Sequence, residues 1–274
     1  MTLLAGQLLA SVTFLWAAVL VTRARPRLDR SAVWVGLSGL FEPGLAYTVG
    51  VLGLSLTTAS SAALIGASEP PLSVLLAGLF LKERIGLRTV ALVALAAAGV
   101  GLLMLPDLQG LGGGSILGDG LVALSALAAA IYVTISRRLV ASTPPLILSA
   151  LQQSAGLAWA LVVVALGQAA GWEAAALPEL PAVTLLAVAL TGIVQYAVAF
   201  WLYLTGLQHL PSNRAALFLT LIPVFGVGGA AVVLGERLVL AQWVGAAVVL
   251  AAIALIVRAE QGHAAEVAAA PPVA

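Results

Sequence analysis

Long runs of apolar residues, separated by short charged or Gly/Pro-rich stretches, dominate the chain. Nearly every run is about 18 to 25 residues long, the length that a helix needs to cross a hydrocarbon core of about 30 Å. Continuous apolar runs predict helices, because membrane barrels are built from short strands of alternating polarity. The pattern predicts nine transmembrane helices, at residues 2–22, 32–56, 59–81, 87–105, 117–136, 144–167, 181–207, 212–234 and 239–257.

Composition supports this interpretation and removes other classes of protein. The chain has 274 residues, of which 62% are hydrophobic and 8% charged, and its mean hydropathy is +1.14. Soluble domains carry about 25% charged residues, so a water-soluble fold is excluded. The chain has no cysteine, which removes disulfides, zinc thiolate sites, iron–sulfur clusters and cysteine nucleophiles. We predict no metal site and no cofactor.

The distribution of basic residues predicts the orientation. Short cytoplasmic loops collect Lys and Arg, and an external N-terminus places 11 of the 12 basic residues on the cytoplasmic side. We therefore predict a multi-pass protein of the cell (inner) membrane with a cytoplasmic C-terminus. The Ala- and Pro-rich tail at 259–274 is predicted to be disordered. The cytoplasmic basic residues are Arg23, Arg25, Arg27, Arg30, Lys82, Arg84, Arg88, Arg137, Arg138, Arg214 and Arg258.

An internal repeat appears when the chain is shifted by 153 residues. Between residues 62 and 87, ten of 26 positions are identical to those 153 residues later, including Pro70 with Pro223. The same shift places Glu42 over Gln195 and Gly39 over Gly192. The charge pattern puts the two copies in opposite orientations, and inverted repeats are the framework of alternating-access transporters.

At these blocks the sequence resembles the EamA-type family of the drug/metabolite transporter superfamily. Its specific marks are a small-residue start, a mid-helix proline and a terminal LKER or LGER, at Ala62 to Arg84 and Ala215 to Arg237. The resemblance covers nearly the whole chain. It implies an all-α fold with two inverted repeats, each of five helices in typical members.

The resemblance also divides the chain and shows one departure from the family. It implies a first, incomplete repeat of four helices at 1–106, a Gly-rich outer linker at 107–116 and a second repeat of five helices at 117–258. The span at 2–22 resembles the family's second helix, so we expect the first to be absent. An incorrect start site, a truncation or a natural nine-span variant would each explain this.

The function implied by the resemblance is secondary transport and not enzymatic activity. The expected carrier exports a small organic metabolite or amino acid by rocking of the two repeats around a midplane cavity; substrate, coupling ion and oligomeric state are left open. A non-transporting accessory membrane protein is the main alternative. An intramembrane enzyme is a remote one: GLSG at Gly36 to Gly39 matches a rhomboid-type serine motif, but His209 and His263 lie at unsuitable depths.

The strongest chemical signal is a pair of carboxylates inside apolar spans, Glu42 in FEPGLAY and Glu69 in ASEPPL. Each is expected near the midplane, where an acidic residue costs about 2.5 to 3.5 kcal/mol and tends to face a cavity or a partner. The spans contain no central Lys or Arg to neutralise them. One interpretation is binding of a cationic or amine-bearing substrate, or of a proton. The other is a protonated acid that only supports packing.

Other polar and helix-breaking residues add to this candidate site. Pro70, Pro71 and Pro223 interrupt helical hydrogen bonding at matching depths, which predicts kinked helices along a cavity, or else simple packing kinks. Three side chains of the seventh span end in polar groups, which are expected either to complement Glu42 or to make ordinary interhelical hydrogen bonds. These are Gln195, Tyr196 and Tyr203.

Overall fold

The computed structural model describes residues 1–24, 30–81, 86–110, 113–171, 181–209 and 221–269. They are mostly helical, as expected where each segment must pair its own backbone groups in lipid. The α-helices are α1 (Thr2–Val21), α2 (Arg30–Leu37), α3 (Ala46–Leu54), α4 (Ala59–Gly66), α5 (Glu69–Leu81), α6 (Leu87–Leu108), α7 (Ile116–Leu139), α8 (Pro145–Ala169), α9 (Ala182–Thr191), α10 (Ala199–His209), α11 (Leu221–Gly229) and α12 (Leu240–Ala269). Further helical turns are a 3₁₀ turn at Ser38–Leu40 and π-helical turns at Phe41–Leu45, Gly192–Val198 and Ala230–Leu234.

Seven helices of the described chain are long and apolar enough to cross a membrane. Their ends differ by at most three residues from the first seven predicted spans. They are Thr2–Val21, Ala32–Leu54, Ala59–Phe80, Leu87–Leu108, Ile116–Leu139, Pro145–Ala169 and Ala182–His209.

The last two predicted spans contain shorter apolar helices, Ile222–Leu234 and Leu240–Ile256. Residues 212–220 of the eighth predicted span lie outside the described residues. Helix α12 continues to Ala269, into the segment for which the sequence predicts disorder. Alanine, glutamate and glutamine in this segment are good helix formers, which is a physical reason for the longer helix.

The chain divides into two compact units, and these do not coincide with the sequence repeats. Unit 1 comprises Met1–Val51 and Ile131–His209, and unit 2 comprises Leu52–Ala130 and Leu210–Ala274. Each unit therefore contains helices from both halves of the sequence.

Unit 1 is organised around α8. This helix packs against α1, α2, α10 and the irregular turns of the second and seventh spans. A buried cluster in this unit includes Leu4, Leu8, Tyr132, Tyr196 and Phe200. Large aromatic side chains thus fill part of unit 1. This unit also contains the candidate residues of the second and seventh spans.

In unit 2, α6 packs along α12 and α4 packs against α11. A side chain at Gly245 would lie 2.8 Å from the carbonyl oxygen of Gly99, so α6 and α12 approach closely. Leu64, Ile65 and Leu103 belong to the core of this unit.

Candidate functional site

The second span is interrupted at Glu42. Its helix passes from α2 through the 3₁₀ turn Ser38–Leu40 and the turn Phe41–Leu45 before α3 begins. Glu42 has extended backbone angles, φ −148° and ψ 125°. A residue that precedes proline is disfavoured in the α conformation, and Pro43 follows Glu42. The predicted acidic residue therefore lies at a break in its helix, and its side chain is half-buried.

The seventh span is irregular at the corresponding place. The π-helical turn Gly192–Val198 contains Gln195, the position that the sequence repeat pairs with Glu42. Glycines three residues before each position permit close backbone contacts: a side chain at Gly39 would collide with the backbone of Gln152, and one at Gly192 with the backbone of Gln7. The two repeat-related segments thus share an irregularity and a glycine contact.

Helix α8 holds both sides of the break at Glu42. Before it, Gln152 donates a 2.8 Å hydrogen bond to the hydroxyl of Ser38. After it, the Pro43 ring packs where a side chain at Gly156 would lie. Farther along, the Trp159 indole donates to Thr48 at 3.1 Å. These contacts position the Glu42 segment against a regular helix.

Two adjacent glutamines in α8, Gln152 and Gln153, make hydrogen bonds that were not predicted from the sequence. Gln152 also donates to Ser136 at 3.0 Å and accepts from the Tyr132 hydroxyl at 2.9 Å. Gln153 donates to the backbone carbonyl of Tyr196 at 3.2 Å. Both glutamines are buried. The available signal was a pair of amides inside an apolar run, because polar side chains within membrane spans usually bond to neighbouring helices.

Tyr196 connects Glu42 to an aromatic cluster. The carboxylate of Glu42 interacts electrostatically with the Tyr196 side chain, which is buried. The Tyr196 ring lies 4.8 Å from the ring of Tyr47, which in turn lies 6.3 Å from Phe200. Tyr203 packs against the same group. We call these four aromatic residues the aromatic cluster. Tyr196 thus relates the Glu42 carboxylate to a group of packed aromatic rings.

The remaining predicted residue of the seventh span faces elsewhere. Gln195 is exposed, whereas its neighbour Tyr196 is buried. In a π-helical turn, successive side chains project in different directions, so adjacent residues have different surroundings. That the polar side chains of this span complement Glu42 stays a prediction, and the electrostatic interaction of Tyr196 with Glu42 agrees with it.

Glu69 and the prolines lie in unit 2, also at a break. The third span is interrupted at Ala67 and Ser68, between α4 and α5, and Glu69 begins α5. Pro70 and Pro71 occupy the first turn of α5, where no amide hydrogen is needed for a helical bond. Glu69 is half-buried and both prolines are buried. Pro223 lies near the start of α11 and is buried.

The structure describes the acidic residue of only one of the two terminal motifs, LGER and LKER. Glu236 of LGER accepts hydrogen bonds from the amides of Ala59 and Ser60 at 2.9 and 2.8 Å. Burial alone raises the pKa of Glu236, but the hydrogen bonds from Ser60 and Ala59 bring it below its ordinary value. Glu83 of LKER lies outside the described residues.

The helices and the embedded carboxylates define a multi-pass helical membrane protein. The chain belongs to the EamA-like transporter family, whose model matches residues 1–105 and 116–258. No curated protein matches its sequence. A solved structure titled "Crystal structure of protein" is similar over 93% of this chain and 87% of that one, with 21% identity and a TM-score of 0.64. That likeness supports the fold alone.

Proposed function

We propose that this chain is a secondary transporter that exports a small amine-bearing metabolite or amino acid by alternating access. The observation that carries the proposal is the half-buried Glu42 carboxylate, which lies at a helix break within an apolar span and acts electrostatically on the buried Tyr196. Family membership supports transport, and the chemistry around Glu42 supports the substrate class. The partners in this proposal are the substrate, the lipid bilayer and a coupling proton.

The surroundings of Glu42 suit an organic cation. A carboxylate in a membrane span attracts cations, and an ammonium group offers both opposite charge and hydrogen-bond donors. Aromatic faces attract the same group by about 0.5 to 2 kcal/mol through cation–π interaction. The aromatic cluster beside Glu42 contributes three tyrosines and one phenylalanine. These features favour an amine over an anionic or purely apolar substrate.

Glu69 is proposed as the second acidic group of the transport cycle. It lies in the other compact unit, also at a helix break and also directly before a proline. Backbone freed at such breaks is tolerated within a membrane where it lines a cavity or is buried in protein. We assign Glu69 to proton exchange and Glu42 to binding of the amine.

Inverted repeats and nine spans are part of the same proposal. Their support is the repeat-related position of Glu42 and Gln195 in two irregular turns, each preceded by a close-packed glycine. Discontinuous helices at corresponding places in two halves are typical of carriers. The proposed location is the cell (inner) membrane with the C-terminus in the cytoplasm, as the basic residues indicate.

Transport by purified protein in liposomes tests the proposal. A panel of radiolabelled amines and amino acids is measured with an imposed pH gradient and without it. For a transported amine, Glu42→Gln is expected to lower flux about tenfold or more, since a charge-assisted hydrogen bond contributes about 1.5 to 3 kcal/mol. Glu69→Gln is expected to abolish the response to the pH gradient.

Asp29→Asn is the matched control, because it removes a carboxylate from the first predicted cytoplasmic loop. It should leave flux and its pH response unchanged. If both glutamate variants transport amines as the parent does, Glu42 and Glu69 are not the transport carboxylates. If no solute of the panel crosses in any variant while the protein is folded, the accessory-protein alternative is preferred.

A further inference from the structure

Two buried aspartates of unit 2, Asp107 and Asp119, have no part in the transport proposal. Asp107 lies at the end of α6 and Asp119 in the first turns of α7. Asp107 acts electrostatically on Asp119, and Thr57 lies beside both side chains. Asp119 is 0% exposed and Asp107 is 7% exposed, so neither carboxyl group is solvated as surface aspartates are.

One oxygen of each carboxyl group already has a donor. The Thr57 hydroxyl donates to Oδ1 of Asp119 at 2.5 Å, and the amide of Gly114 donates to Oδ1 of Asp107 at 2.9 Å. A side chain at Gly114 would lie 3.0 Å from Oδ2 of Asp107 and would also contact Thr57, so these groups surround one small volume.

The other oxygen of each group has no donor. Oδ2 of Asp107 and Oδ2 of Asp119 are both buried and make no hydrogen bond with any group of the described chain. A buried acceptor without a donor destabilises the fold, and two like charges close together add repulsion. A proton placed between the two groups removes the repulsion and provides the missing donor.

We propose that Asp107 and Asp119 bind one proton between them, as a carboxyl–carboxylate pair. One carboxyl group then donates to the other, and the pair carries a single negative charge. The pair would link the end of α6, the start of α7 and, through Thr57, the segment before α4. This proposal does not rest on the transport function above, because it concerns groups that the transport proposal does not use.

Within the part of the chain that the structure describes, few other charged residues belong to the elements around the pair. On Asp119, Asp107 is the charged group that acts. The segment before α4 contributes Thr57 and no titratable side chain, and residues 52–68 contain none. The loop after α11 contributes Glu236, which accepts from the amides of Ala59 and Ser60, and the exposed Arg237. The other charged residue of α6 is Arg88, at the opposite end of that helix from Asp107. In α12 the first charged residue is Arg258, eighteen residues after the helix begins.

A proton fits these groups better than a divalent cation. Calcium takes six to eight oxygens and magnesium six in near-octahedral geometry, whereas this pair leaves one oxygen free on each aspartate. The described residues contain no group of three or more His, Cys, Asp or Glu that could hold a metal ion. The proton is therefore the ligand that we assign.

Infrared spectroscopy of the purified full chain tests the pair directly. The chain has three aspartates, Asp29, Asp107 and Asp119, so carbon-13 labelling of aspartate marks only these groups. At neutral pH the labelled protein should show an isotope-shifted carbonyl band of a protonated carboxylic acid. The band should persist in Asp29→Asn, and disappear in Asp107→Asn and in Asp119→Asn.

The asparagine variants are expected to fold, because an asparagine amide can donate to the remaining carboxylate in place of the proton. If either variant fails to fold, the labelled Asp29→Asn protein alone still decides the matter, since it contains only the proposed pair. Carboxylate bands without any acid band at neutral pH would overturn the proposal. So would aspartate bands that respond to added calcium or magnesium and not to pH.

Discussion

The side-chain amide of Gln153 donates a 3.2 Å hydrogen bond to the backbone carbonyl of Tyr196. Tyr196 lies in the π-helical turn Gly192–Val198, where the regular backbone pattern is interrupted and carbonyl groups need other donors. The carbonyl oxygen of Gln153 accepts from the Ser11 hydroxyl at 3.4 Å. One buried glutamine in α8 therefore connects α1 to the irregular turn that presents Tyr196.

Replacing Gln153 with leucine tests this connection. The substitution keeps the volume similar but leaves the Tyr196 carbonyl without its side-chain donor in an apolar setting. Hydrogen bonds between membrane helices contribute about 0.6 kcal/mol on average and at most about 1.7. We expect Gln153→Leu to lower the free energy of unfolding by about 1 kcal/mol, measured by denaturant titration in detergent.

Gln195→Leu is the control for that experiment. Gln195 lies in the same turn as Tyr196, but its side chain is exposed. The same chemical change there should leave the stability within about 0.5 kcal/mol of the parent, as surface substitutions usually do. Equal effects of the two substitutions would contradict the structural role assigned to Gln153.

Alanine at the repeat-related glycines tests the close backbone contacts. A methyl group at Gly39 would collide with the backbone of Gln152, and one at Gly192 with that of Gln7. Because backbone cannot move aside as a flexible side chain can, we expect each variant to lose about 1 to 3 kcal/mol of stability. Gly101→Ala in α6 is the control, because no described atom beyond its own chain neighbours and helix backbone lies within 4 Å of the added methyl. There the thermal midpoint should stay or rise, and a fall as large as at Gly39 would oppose the contact argument.

The spans could be predicted from the sequence because each is a long apolar run bounded by charge or by Gly and Pro. The predicted first span, 2–22, differs from Thr2–Val21 by one residue. The breaks within spans were partly visible too: Pro43 and Pro70 each follow a glutamate, and proline restricts the residue before it. The π-helical turn at Gly192–Val198 contains no proline, so its interruption left no local signal.

The acidic residues of the candidate site could be predicted from the sequence, but the residues that lie around them in space could not. An acidic residue in an apolar run stands out in any sequence, which is how Glu42 and Glu69 were found. The electrostatic interaction of Glu42 with Tyr196 depends on how the second and seventh spans pack, and the repeat alignment pointed to the adjacent Gln195 instead. Gln152 bonds to three partners on two other spans, an arrangement that no sequence spacing specifies.

Two substitutions of Tyr196 distinguish the contribution of its ring to amine binding from that of its hydroxyl. Tyr196→Phe keeps the aromatic ring and removes the hydroxyl, whereas Tyr196→Leu removes both. If a cation–π contact contributes about 0.5 to 2 kcal/mol, Tyr196→Leu should raise the apparent KM for a transported amine by about 2- to 30-fold. Tyr196→Phe should stay closer to the parent.

Kinetics in liposomes distinguish this effect from simple destabilisation. Both variants are first compared by thermal unfolding, so that flux is measured where each is folded. A KM for Tyr196→Phe raised as much as for Tyr196→Leu would assign the effect to the phenol group and oppose a role for the ring face.

The hydrogen bonds of Glu236 predict that part of the stability of the fold is lost in acid. Its carboxylate accepts from the amides of Ala59 and Ser60, and these bonds hold its pKa below the ordinary value of about 4.3. A carboxylate with a lowered pKa stabilises the fold above its unfolded pKa, and this stabilisation is lost as pH falls through the folded value. Glu236→Gln should therefore unfold at a lower temperature than the parent at about pH 7, with the gap narrowing below about pH 4. Asp29→Asn, which removes a different carboxylate, should follow the parent at every pH. A gap for Glu236→Gln that stays constant from neutral to acidic pH would mean that its ionised form contributes nothing to stability.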